Sequence, residues 1–119
     1  MITQEKGRVA EEKALAYLQE QGFKLVSKNY SCRLGEIDLI LRDKEFLVFV
    51  EVRARTSAQF GGGIASITYA KRQKIIKSAL HYLMVHKEYS KCALRFDVIS
   101  IDGTSASVTW VRDAFGADY

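Results

Sequence analysis

Proline is absent from this 119-residue chain, and cysteine, methionine and histidine occur only twice each. With no proline, no helix or strand is interrupted by a missing N–H donor, so glycine and charge must mark the element boundaries. Cys32 and Cys92 lie far apart and show no metal-ligand spacing. That excludes a cysteine-based metal knuckle, and the two are expected to be reduced thiols of a cytoplasmic protein. No apolar run approaches the length of a membrane span, and the opening "MITQEKGRVAEEK" is too charged for a signal peptide. The chain also lacks internal repeats, interdomain linkers, a glycine-rich phosphate loop and a serine-histidine-acid set. Its one glycine cluster is Gly61-Gly62-Gly63.

What is present is ordinary globular material, 48% apolar and 27% charged, enough for one core and therefore one domain over residues 1–119. A net charge of +4 and a pI near 9.1 permit a polyanionic partner without specifying one.

The hydrophobic pattern predicts a helix from about Thr3 to Gln21, stopped by Gly22, with Ala10, Ala14, Tyr17 and Leu18 on its packing stripe. Strands are predicted over Phe23–Asn29, Gly35–Arg42 and Phe46–Arg55, the last two joined so tightly that they must form a hairpin. "TSAQFGGGIAS" reads as a loop. A second helix follows from an N-cap at Thr68 to about His86, with Ile75, Ile76, Ala79, Leu80 and Leu83 facing the core. Leu94–Ile101 and Ala106–Arg112 complete the strands, and "DAFGADY" is a fraying end or an interaction segment. A crossover from the third strand through the second helix to the fourth sets those strands in one sheet, so the fold class is α/β.

Three acids contradict this packing. Asp38 shares a strand face with Ile40, Glu51 stands in the most apolar run of the chain, and Glu11 lies within the stripe of the first helix. A two-residue turn between Asp43 and Phe46 sets Asp38 opposite Glu51 and Glu36 opposite Arg53. Opposed side chains have Cβ atoms ~5 Å apart. Two carboxylates that close require a proton, a base or a cation between them. If the first helix packs on that face, Glu11 joins them, and three oxygen donors suit Mg²⁺ or Mn²⁺. The alternative is a salt-bridge cluster in which Arg53 and Arg55 neutralise the acids. Phe96 and Trp110 read as core, Arg95 with Asp97 as a local ion pair, and His81 and His86 as surface or core-edge residues.

Several blocks in order, "GRVAEEKALAYL", "NYSCRLGEIDLI", "FVEVRAR", Phe60-Gly61, Lys71 and "RFDVI", make the chain resemble the YraN family of small bacterial proteins from Gly7 to about Ile101. That family is similar in turn to the PD-(D/E)xK nuclease superfamily, near the archaeal Holliday-junction resolvases. The resemblance implies a restriction-endonuclease-like mixed sheet in the order helix-strand-strand-strand-helix-strand-strand. It also implies divalent-metal-dependent phosphodiester hydrolysis on nucleic acid, DNA rather than RNA, and a homodimer as in the resolvases.

Carried over residue by residue, Asp38 and Glu51 are the metal carboxylates, and Glu11 completes the shell directly or through water. The superfamily's catalytic lysine position is occupied by Arg53, which can stabilise charge but cannot act as a base. Arg33, Arg55, Lys71, Arg72 and Lys74 are the candidates for gripping phosphates. The same substitution at Arg53 leaves open a non-catalytic nucleic-acid-binding module or a protein-interaction domain on the same scaffold.

Overall fold

The computed structural model describes residues 2–55, 67–102 and 107–116, and side chains over 7–54, 67–102 and 107–116. Helix α1 (Ile2–Glu20) precedes β1 (Lys24–Cys32), β2 (Gly35–Asp43) and β3 (Phe46–Arg55). Helix α2 (Tyr69–Val85) then leads to β4 (Ala93–Asp102) and β5 (Val108–Phe115). The five strands form one sheet in the order β1-β2-β3-β4-β5. Only β3 and β4 run parallel, because only they are joined through a helix. The element order is the expected one. The glycine loop, Phe60-Gly61, the turn at Gly103 and the last three residues lie outside the described residues.

Each helix covers one face of the sheet. Ala10, Ala14 and Leu18 of α1 pack with Leu39, Leu41, Val48, Val50, Ile99 and Ile101. On the other face Ile75, Ile76, Ala79 and Tyr82 of α2 pack with Ile40, Leu47, Phe49, Phe96 and Val98. α1 ends because Gly22 adopts φ +97, letting the Phe23 N–H reach the Leu18 carbonyl at 3.1 Å and its own N–H reach that of Gln19 at 3.0 Å. No helix among the described residues is long and apolar enough to cross a membrane.

Three expectations shift. Leu80 is 47% exposed, and Ser78 and Tyr82 take its place in the core. Tyr82 sets the helix phase, since its ring meets Tyr30 edge-on at 4.9 Å and Phe49 at 6.4 Å. β5 runs beyond Arg112, so the residues read as a fraying end supply Phe115, which is buried and stacks on Phe96 at 5.2 Å. β1 extends through Cys32, and the loop expected there shrinks to the two residues Arg33-Leu34.

The extension of β5 depends on a buried ion pair. Asp97, fully buried, accepts bonds from Arg95 Nε at 2.9 Å, Arg95 Nη2 at 3.0 Å and Trp110 Nε1 at 2.9 Å. A fourth comes from the N–H of Asp113 at 3.0 Å, a residue at φ +52 where the β4–β5 register shifts. Arg95 lies between the rings of Phe23 and Phe46, 5.6 and 5.2 Å from their centroids. Asp97→Ala leaves that guanidinium largely buried and short of its partner, so a loss of ~3–5 kcal/mol is expected in urea unfolding. A loss under ~1 kcal/mol would show that the pair does not organise this end of the sheet.

Candidate functional site

The β2–β3 hairpin has the expected register. Asp43 pairs with Phe46, Arg42 with Leu47 and Ile40 with Phe49, around a turn in which Lys44 takes φ +56. The ladder then stops at Leu39↔Val50, one pair short of Asp38 and Glu51. Instead of a backbone pair, the Val52 N–H donates to Asp38 Oδ2 at 2.8 Å. Glu36 pairs with Ser31 of β1 and is not a ladder partner of Arg53.

The cause lies in β1. Lys28↔Leu39 and Tyr30↔Ile37 are in register, and between them Asn29 has φ +53, a left-handed conformation that asparagine tolerates. Across from it stands Asp38. This irregularity resets the alternation of β2: Leu39 packs under α1, whereas Ile37, two residues earlier, packs with the α2 layer. Asp38 therefore stands where the sheet forks and both helices can reach it.

α1 packs on the face opposite to that of Asp38 and Ile40, yet Glu11 lies near Asn29 and Asp38, both of which influence its pKa. From the α2 side, Lys71 Nζ meets Glu51 Oε2 at 2.9 Å. Glu51 alternates with Val50 and Val52, which belong to the α1 face, so its buried carboxylate projects toward α2. Asp38 and Glu51 stand close enough that the charge of Asp38 pushes the pKa of Glu51 up.

Burial is the largest cause raising the pKa of Asp38; the charge of Glu11 adds to it, against the Val52 N–H. Glu51 is likewise pushed up by burial and then by Asp38, with Lys71 and Arg53 opposing. Burial also raises Glu11, outweighing the lowering influence of Asn29 and Asp38. The acids form a chain, Glu11 to Asp38 to Glu51. Among the described residues no three Asp, Glu, His or Cys side chains make a ready metal cage.

The basic candidates divide. Lys71 and Lys74 border a cavity of about 480 Å³ with Gly35, Glu36, Asp38 and Thr68. Arg53 Nη1 lies 3.8 Å from Glu51. Arg72 turns away, donating from Nε to the Ile67 carbonyl at 3.1 Å and so anchoring the start of α2. Arg33 is exposed in the β1–β2 turn and does not border the cavity. Arg55 ends β3 beside Asp102, and its side chain lies outside the described residues.

Two positions that shape this site were not singled out from the sequence. One is Asn29, whose signal was an asparagine inside a strand pattern. The other is Gly35, where φ is +153 and a Cβ would stand 3.0 Å from Ser78 Oγ and 3.4 Å from Lys74 Cβ. Only glycine lets α2 come this close to β2.

The blocks that build this fork are those of the resemblance. The model of an uncharacterised protein family, UPF0102, matches residues 10–101. The chain belongs to the UPF0102 family. This is the family that goes by the name YraN. A UPF0102 protein of Legionella pneumophila strain Philadelphia 1 is 59% identical over 116 residues, 98% of each chain. UPF0102 proteins of Psychromonas ingrahamii, 51% identical over 92% of this chain and 88% of its own, and of Nitrosomonas europaea, 50% identical over 92% of each, are similarly related. The matched span includes Glu11, Asp38, Glu51 and Lys71.

Raised carboxylate pKa values carry a definite sign. The folded state holds protons that the unfolded chain releases, so these acids favour folding fully below the ordinary carboxylate range of about 4. That contribution is lost as pH rises through their raised folded values. At neutral pH Asp38 therefore destabilises the fold. Asn at this position can still accept from Val52 N–H and donate to Glu51 without charge. With divalent ions chelated, Asp38→Asn should add on the order of 1 kcal/mol at about pH 7 and flatten the fall in stability above about pH 4. Urea unfolding at several pH values measures both, and a variant less stable than the parent at neutrality would contradict the assignment.

Proposed function

We propose that this protein is a nucleic-acid-binding protein of nuclease-like fold that hydrolyses phosphodiester bonds with a divalent metal ion. The observation that carries the reading is the Asp38–Glu51 pair, a part-buried and a buried carboxylate set together, with Asp38 bordering a cavity shared with Lys71 and Lys74. A structural pair would be expected to find enough donors to hold both acids ionised. Here burial and mutual repulsion outweigh the donors present, which is the condition a cation relieves.

The donor set is hard oxygen throughout and fits Mg²⁺ or Mn²⁺, which are commonly held by one or two carboxylates with water and phosphate in the remaining positions. Asp38 and Glu51 would be the direct ligands, and Glu11, near Asp38, would act through it or through water. When bound, the ion would supply a Lewis acid beside the scissile phosphate. The protein's own groups do the rest. Val52 N–H holds Asp38 in its rotamer, and the cations at the cavity rim, Lys71 and Lys74, oppose the charge of a phosphate backbone. DNA is the favoured substrate, and nuclease-superfamily membership is part of the same proposal.

The purified protein should cut branched, flapped or single-stranded DNA in Mn²⁺ or Mg²⁺, and Asp38→Ala or Glu51→Ala should reduce the rate by ~100-fold or more. Mn²⁺ should raise the melting temperature of the parent and not of these variants. Cleavage that persists in both would place the chemistry elsewhere.

Arg53 favours a second reading, a binding module that has lost hydrolysis. It predicts salt-dependent DNA binding without turnover. Acquired cleavage in Arg53→Lys would identify a site disabled by that one residue.

A further inference from the structure

We propose that Lys71, carried by the first turn of α2, is the catalytic cation of this site, standing in for the lysine absent two residues after Glu51. This rests on the nuclease reading and assigns within it a role that β3 does not fill.

The first ground is distance. Lys71 Nζ lies 2.9 Å from Glu51 Oε2, whereas Arg53 Nη1 approaches the same oxygen only to 3.8 Å. Glu51 and Arg53 project from one strand two residues apart, ~6.5–7 Å along it, so the arginine must fold back to reach its neighbour. Lys71 comes from a different element, α2, and its ammonium makes the shorter contact with the acid.

The second ground is that Lys71 is held in place. Thr68 Oγ1 caps α2 by accepting the Lys71 N–H at 3.1 Å. Arg72 ties the same turn to the Ile67 carbonyl at 3.1 Å. Further along the helix, Gly35 lets α2 lie close against β2, since a Cβ there would stand 3.0 Å from Ser78 Oγ. The cation thus stands on an anchored helix rather than on a surface loop.

The third ground is chemical capacity. An ammonium has three N–H donors, and Glu51 engages one of them. With its side chain 41% exposed at the cavity rim beside Asp38, Lys71 can donate another to a non-bridging phosphate oxygen. In hydrolysis the oxygen of water bonds to phosphorus and the bond to one sugar oxygen breaks. A proton from the water ends on that leaving oxygen. Lys71 neither gains nor loses a proton in this scheme; it opposes the charge that gathers on the phosphoryl oxygens.

Three variants, Lys71→Met, Lys71→Arg and Arg53→Met, are compared with the parent on a branched DNA in Mn²⁺. Circular dichroism checks that each folds. Lys71→Met is expected to lower kcat by ~100-fold or more with KM changed less than ~5-fold, and Lys71→Arg to recover at least ~10-fold of that loss. Arg53→Met is expected to cost ~10-fold or less. Cleavage by the parent with Arg53→Met losing as much as Lys71→Met would overturn the assignment and leave the nuclease reading standing.

If the parent binds DNA without cutting it, the salt dependence of binding is the readout. That outcome overturns the catalytic role, and a log–log slope lower by about 1 in Lys71→Met would leave Lys71 as a phosphate contact only. A parent that binds no nucleic acid at low salt removes both the nuclease reading and this one.

Discussion

The hydrogen bond from Val52 N–H to Asp38 Oδ2 is the point at which the sheet becomes a site. A strand that leaves its ladder strands its own N–H groups, and a buried one left unpaired costs about 1–3 kcal/mol. Here a side chain takes the place of the missing rung, so the fork between β2 and β3 can open without that cost. The same bond removes rotational freedom from Asp38, which stands beside Glu11 and Glu51. Asn29 makes the opening possible by placing the one left-handed residue of β1 opposite Asp38. Once the fork exists, helices on opposite faces of the sheet can both contribute to a single cluster.

A second acid on the same sheet shows what a purely structural arrangement looks like. Asp97 is more deeply buried than Asp38, yet four donors converge on it: Nε and Nη2 of Arg95, the Trp110 indole and the Asp113 N–H. Its geometry is complete, and it holds β5 to β4 through a register shift. Asp38 and Glu51 have one backbone N–H, one ammonium and each other as their main partners. On the proposed reading, the burial and mutual repulsion that raise the pKa of both acids mark the place of a cation, whereas Asp97 is complete without one. The contrast between these two pairs separates site from scaffold more sharply than either does alone.

The hairpin register was legible because so short a turn leaves few alternatives, and the period-2 pattern of Phe46–Arg55 is unbroken. The N-cap at Thr68 was legible for a similarly local reason. The path of β1 was not, since a single left-handed residue at Asn29 resets alternation and leaves no trace in composition. For the same reason the condition under which Glu11 would join the acids, α1 packing on their face, does not hold, and Glu11 nears Asp38 by another route. The phase of α2 was missed because Leu80 and Tyr82 both suit a core, and only the rings of Tyr30 and Phe49 across the interface select Tyr82. Local rules fixed the rungs, and contacts distant in sequence fixed the irregularities that make the site.

Salt bridges within the acid cluster do not by themselves account for it. Lys71 and Arg53 both lie near Glu51, and each lowers its pKa, yet the balance for Glu51 and for Asp38 is upward. A pair that satisfied its charges would be held down, as a carboxylate beside a cation normally is. Both proximities are therefore real and still insufficient. One ammonium at 2.9 Å serves Glu51 but leaves Asp38 between two other acids. The fold keeps this unrelieved charge at an opening where a cavity and two lysines meet. An asparagine at position 38 would keep the Val52 bond and remove the repulsion. On the proposed reading, the acid at this position serves to receive a cation that reaches the fork from outside the chain.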